Sequence, residues 1–218
     1  MKYWPLILGL LPSIAWLIFY LSEDKNSEPK KTLFITFLAG GITTFVVLAG
    51  QMFINGIAIN AGIQEHSPLS FLILGGLEEI FKFIAVYLVV SKRPEFDEPI
   101  DAMIYMITAA LGFAAVENIA AAYTSSMPNI LETTTLRFFG ATLLHTLSSG
   151  LVGYYWAKSI LADNSKKILI FGLLLGTSLH AVFNYLIIKY EPVIVPTIFL
   201  IIFALFILHD FEKLKKIK

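Results

Sequence analysis

Five ionisable residues lie where the chain is otherwise apolar: Glu78, Glu79, Glu117, His145 and His180, with Lys82 about one turn after the glutamate pair. Carboxylates and imidazoles in a secluded layer suit the activation of water for attack on a carbonyl. Two mechanisms draw on this set. In a metal-dependent version, Glu117, His145 and His180 hold Zn²⁺ with one position open for water, and Glu78 or Glu79 acts as general base. In a metal-free version a glutamate deprotonates water directly, while His180 and Asn184, four residues apart on one helical face, stabilise the oxyanion. The sequence leaves both open. With no cysteine, no HExxH zinc helix and no GxSxG elbow, thiol, common metalloprotease and serine chemistries are disfavoured. The one aspartate near a span, Asp101, opens a helix and reads as a dipole or capping acid.

The elements that carry these residues are membrane spans. The 218 residues are 57% hydrophobic and 15% charged, with zero formal net charge and mean hydropathy +0.76, whereas soluble domains average about 25% charged. A neutral chain also lacks the basic field that nucleic acid requires. Seven apolar stretches approach the roughly 20 residues that cross a bilayer: 3–21, 33–54, 69–90, 100–123, 135–157, 167–189 and 193–209. The expectation is an all-α, polytopic bundle of about seven spans. It forms a single integral membrane domain over 1–218, with its catalytic core in helices three to six, about 69–189. The first stretch is too long for a signal-peptide core and should persist as a helix.

Lysine and arginine gather on one side of these spans. Lys25, Lys30, Lys31, Lys92, Arg93, Lys158, Lys166, Lys167, Lys213, Lys215, Lys216 and Lys218 fall in alternate loops and the tail, against Lys2, Arg137 and Lys189 opposite. The positive-inside rule then places the N-terminus outside and the C-terminus in the cytoplasm. Gly40, Gly41, Gly75, Gly76, Gly112, Gly172 and Gly176 are expected to let helices approach closely.

A charge within a span costs at least about 2.5–3.5 kcal/mol, so such groups face the bundle interior and are functional by default. Counted at 1.5 Å per residue from the outer helix ends, the glutamate pair and both histidines lie about 14–15 Å deep and Glu117 about 9 Å. They converge on one layer. Lys82 reaches either Glu78 or Glu79 on its own helix, and because helical neighbours point about 100° apart, the two carboxylates take different roles.

The motifs that carry these groups follow one another in order. They are Glu78-Glu79-Ile80-Phe81-Lys82 (EExxK), Phe113 to Asn118 (FxxxEN), His145 in the next span, and His180 to Asn184 (HxxxN). Together they resemble the PrsW family of bacterial intramembrane proteases, which is similar in turn to the CAAX prenyl endopeptidase and bacteriocin-processing superfamily. The resemblance implies a multi-pass peptidase of the bacterial cell membrane that clips membrane-anchored proteins, such as anti-sigma factors, from the outer side. It makes Glu78, Glu79, Glu117, His145 and His180 the site residues. EExxK and FxxxE stand here where the wider superfamily has EExxxR and FxxxH, so roles drawn from prenyl endopeptidases do not transfer to Glu117.

The reading is therefore an intramembrane endopeptidase acting on a membrane-anchored protein near the outer leaflet, with water activated by a glutamate. Two rivals use the same residues otherwise. A proton-coupled transporter would relay protons along them, and a non-catalytic scaffold or immunity protein would tolerate their loss.

Overall fold

The computed structural model describes residues 3–23, 26–190 and 194–217. Lys2, Lys25, Lys218 and Val193, used above for charge bias and for the start of the last span, lie outside the described residues. The chain forms α1 (Trp4–Ser22), α2 (Lys30–Asn60), α3 (Pro68–Val90), α4 (Asp101–Thr124), α5 (Ile130–Phe139), α6 (Ala141–Leu161), α7 (Lys166–Lys189) and α8 (Ile194–Leu214). No strand occurs among the described residues. Seven of these helices are 19 to 31 residues long, and α5 has 10.

By length and composition α1, α2, α4, α7 and α8 could each cross a membrane. The other two long helices carry the polar interior: α3 has Glu78, Glu79 and Lys82 at mid-length, and α6 carries His145 among serines and threonines. α4 is the central mast. Every residue from Asp101 to Ala115 is buried, because small and apolar side chains lie all round it and α1, α2 and α6 pack against it. The α2–α4 crossing is the closest. A Cβ on Gly40 would overlap the Ala109 carbonyl oxygen, and one on Gly112 would overlap that of Phe37.

The expected fifth span, 135–157, is two helices in the structure. The chain turns at Gly140, whose ψ of −96° is not helical, and a Cβ there would lie 2.7 Å from the Leu136 carbonyl oxygen. α5 is tied to α1 by the Trp16 indole, which donates to the Phe138 carbonyl at 3.0 Å. One helix is expected because residues 135–157 form a single apolar stretch of span length that includes Gly140. The break brings Arg137 onto α4 and starts α6 just before His145. The last helix also runs on to Leu214, past the expected end at His209.

α3 begins at Pro68, with the Ser67 hydroxyl accepting from the Ser70 N–H at 3.2 Å, an ordinary N-cap. At the opposite end of the bundle Lys215 pairs with Glu23 at 3.2 Å, and Asn26 donates to Glu98 at 2.7 Å. The first and third loops and the tail therefore share one face, as alternate crossings require.

Candidate active site

Glu79 is wholly buried and fully bonded. Its Oε1 accepts from Lys82 Nζ at 2.9 Å, from the Ser148 hydroxyl at 3.0 Å and from His180 Nδ1 at 3.2 Å. Its Oε2 accepts from the Ser149 hydroxyl at 2.7 Å. A buried carboxylate with this many donors is an anchor that sets the orientation of its neighbours.

Glu78 differs. Oε1 accepts from the Gln51 amide at 3.0 Å, but Oε2 is buried without a hydrogen bond. That oxygen lies 3.5 Å from His180 Nε2, 3.7 Å from His145 Nδ1 and 3.5 Å from Lys82 Nζ. With Nδ1 of His180 donating to Glu79, its Nε2 presents a lone pair toward Glu78. His145 repeats the pattern from the other side: Lys82 donates to its Nδ1 at 2.8 Å, so Nε2 carries the proton and donates to Glu117 at 3.0 Å.

Each imidazole is thus tied to a carboxylate through one nitrogen and turns the other toward Glu78 Oε2. Carboxylate–histidine pairs of this kind orient metal ligands and raise their basicity. Glu78, His145 and His180 offer ligand atoms within 4.8 Å of one another. One carboxylate and two imidazoles form a donor set of catalytic zinc sites, so the residues fit a metal ion. The Lys82 ammonium lies among the same atoms, where its charge offsets both glutamates.

The sequence reading grouped Glu117 with the two histidines as possible metal ligands; in the structure the carboxylate that offers an atom within 4.8 Å of both imidazoles is that of Glu78. Helical spacing fixes which face a residue occupies but not how far neighbouring helices are rotated, so sequence alone could not separate the two acids. Glu117 lies at the rim. It is 31% exposed, and Arg137 on α5 pairs with the same oxygen at 3.0 Å. Arg137 Nε also donates to Asn118 Oδ1 at 2.5 Å, and the Asn118 amide donates to Thr142 at 2.9 Å, which links α4, α5 and α6. Asn184, expected beside the substrate carbonyl with His180, instead lines a separate cavity with Asn55, Glu65, His66 and Ser70, which His180 does not border.

Four contributors escaped the sequence reading. Ser148 and Ser149 follow His145 by three and four residues and so share its face, a polar stripe that spacing could have shown. Gln51 is an amide within the apolar run of α2, a signal of the same kind. Arg137 read as an outer-loop charge, and only the break at Gly140 turns it inward.

A family model described as PrsW family intramembrane metalloprotease matches residues 28–209. The chain belongs to that family. It is 33% identical over 186 residues to Protease PrsW of Geobacillus kaustophilus (strain HTA426), covering 84% of this chain and 79% of the relative. Protease PrsW of Clostridioides difficile (strain 630) is 27% identical over 216 residues, or 96% and 90% of the two chains. Protease PrsW of Bacillus subtilis (strain 168) is 28% identical over 181 residues, or 82% and 80%. No solved structure matches the chain. This PrsW-family protein is a membrane peptidase, a hydrolase, which decides against the transporter and scaffold readings. The motifs on α3, α4, α6 and α7 all fall within the matched segment.

Proposed function

We propose that this PrsW-family protein is a zinc-dependent intramembrane endopeptidase that cuts a membrane-anchored protein near the outer leaflet of the bacterial plasma membrane. The observation that carries the reading is Glu78 Oε2, a buried oxygen without a hydrogen bond, facing an acceptor nitrogen of each histidine at 3.5 and 3.7 Å. Lys82 Nζ, 3.5 Å from that oxygen and 2.8 Å from His145 Nδ1, supplies positive charge to the cluster, and a metal ion held by the three donors would compete with it there. Glu78, His180 through Nε2 and His145 through Nδ1 would hold the ion. When bound, it polarises the scissile carbonyl and makes water acidic enough to lose a proton near neutral pH.

The protein's own groups supply the rest. Glu79 and Glu117 fix the two imidazoles through their other nitrogens. Glu117, the member of the set that reaches the rim, is placed to accept the proton of the attacking water and return it to the leaving amine. Arg137 holds Glu117 in line from α5. Around them Phe113, packed on His145 at 5.3 Å between ring centroids and beneath Lys82 at 4.4 Å, excludes bulk water. The outer-side location follows from the positive-inside bias, with the N-terminus outside. A membrane-anchored anti-sigma factor is a substrate of the kind the motif resemblance implies.

The test is cleavage of a membrane-anchored reporter by purified protein in liposomes, with and without chelator. Chelation should stop cleavage and added Zn²⁺ should restore it. Cleavage that continues unchanged under chelation refutes the metal-dependent reading.

A further inference from the structure

A cavity of about 340 Å³ lies between α2 and α4, with Arg137 of α5 at its polar end. That size falls within the range of about 300–1,000 Å³ typical of ligand clefts. Its walls are largely apolar, formed by Leu48 and Phe45 of α2 and by Val116 and Ala120 of α4, while Gln51 and Glu117 line its inner end. Those two polar residues tie it to the reactive set, since Gln51 bonds Glu78 and Glu117 bonds His145. Phe45 and Leu48 of α2 are 64% and 54% exposed, so within the membrane the mouth opens sideways into the bilayer. By contrast, none of the two histidines, Lys82 or the three glutamates borders the cavity beside Asn184.

We infer that the α2–α4 cavity is the specificity subsite of the peptidase and takes a large aliphatic or aromatic side chain of the substrate next to the scissile bond. This inference rests on the hydrolase reading and adds what that site selects. A membrane-anchored segment approaching from the lipid meets the cavity before it meets the glutamates. Burying its apolar side chain between Leu48 and Val116 sets the adjoining peptide group at Glu117 and Arg137. Arg137 has donors left to engage a substrate carbonyl there. Polar or charged side chains at that position have no partner on the apolar walls and are rejected.

Selectivity and occupancy are tested separately. Single-span reporters carrying Ala, Val, Leu or Phe at the residue flanking the cut are reconstituted with the wild-type protein and with Val116→Phe and Ala120→Phe, which fill the cavity. A hydrophobic subsite discriminates such side chains by about 10- to 200-fold. The wild type should favour Leu and Phe over Ala by at least about tenfold. The filled variants should lose or invert that preference, with bound metal unchanged. A Leu-to-Ala ratio that stays the same in both filled variants overturns the inference.

Occupancy is read without catalysis. A reporter with a benzophenone side chain at that residue is photolysed on Glu117→Gln protein, and the crosslinked peptide is sequenced. Crosslinks to 45–51 or 113–120 support the subsite, and crosslinks to 65–74 or 184–188 overturn it. If no reporter is cleaved by the wild type yet the crosslink falls on 45–51 or 113–120, the hydrolase reading fails while the binding site stands.

Discussion

His180 donates through Nδ1 to Glu79 at 3.2 Å and holds its other nitrogen 3.5 Å from Glu78 Oε2. Adjacent carboxylates on one helix are thereby given unlike tasks. Glu79 is saturated with donors, whereas Glu78 keeps a buried oxygen without a hydrogen bond, the atom that the proposed function gives to a metal ion.

The two acids should fail differently when removed. Glu79→Ala strips Lys82, Ser148, Ser149 and His180 of a shared acceptor, and breaking a buried ion pair in this way costs about 3–5 kcal/mol. A clear drop in melting temperature in detergent is expected. Glu78→Ala, which removes a longer 3.5 Å pair to Lys82 and one bond from Gln51, should fall less far below the wild type in metal-free protein and lose cleavage. An equal, large drop in the two variants would show that both acids are structural.

Lys82 and a bound cation make competing claims on Glu78 and His145. Lys82→Met should tighten Zn²⁺ binding, read by chelator competition. It should also lower the melting temperature of chelated protein more than that of metal-loaded protein, because Glu79 then loses the ammonium at 2.9 Å. Unchanged zinc affinity would mean that the ammonium and the ion do not share the site.

Glu117 is expected to act on rate and not on fold. Glu117→Gln preserves shape at a position 31% exposed and should reduce kcat by about 10²- to 10⁴-fold, the usual contribution of a positioned acid or base. Metal content and melting temperature should hold. Arg137→Ala should lower kcat less, by about tenfold, since a partly exposed ion pair contributes about 1 kcal/mol or less to stability and here mainly aligns Glu117.

The α2–α4 crossing predicts a steric contrast between glycines. Gly112→Ala drives a methyl into the Phe37 carbonyl oxygen, whereas Gly56→Ala meets nothing within 4 Å. The first should express poorly or melt several degrees lower, and the second should be indistinguishable from wild type. Melting curves of the two proteins, purified side by side, decide it.

Much of this was legible in the chain because a bilayer makes polar groups conspicuous. Glu78, Glu79, Glu117, His145 and His180 stood out against apolar neighbours, and the structure brings all five into one network. The all-α bundle with seven long helices followed from segment length. What stayed hidden depended on rotation and on breaks. Nothing local says that α4 turns Glu117 to the rim while α3 turns Glu78 inward, or that Asn184 faces another cavity. The break at Gly140 was equally silent, because the apolar stretch read over 135–157 passes through it. The absence of native cysteine lets orientation be mapped directly: Ser67→Cys and Ser125→Cys should label from outside, and Ser22→Cys and Ser165→Cys from the cytoplasm.

The most direct test is metal analysis of purified wild-type protein beside Glu78→Ala, His145→Ala, His180→Ala and Glu117→Ala. The wild type and Glu117→Ala should each retain about one zinc per chain, as a three-ligand catalytic site requires, and the other three should lose it. A wild type that binds no metal under loading conditions, or variants at Glu78, His145 and His180 that bind as much as the wild type, would contradict the assignment.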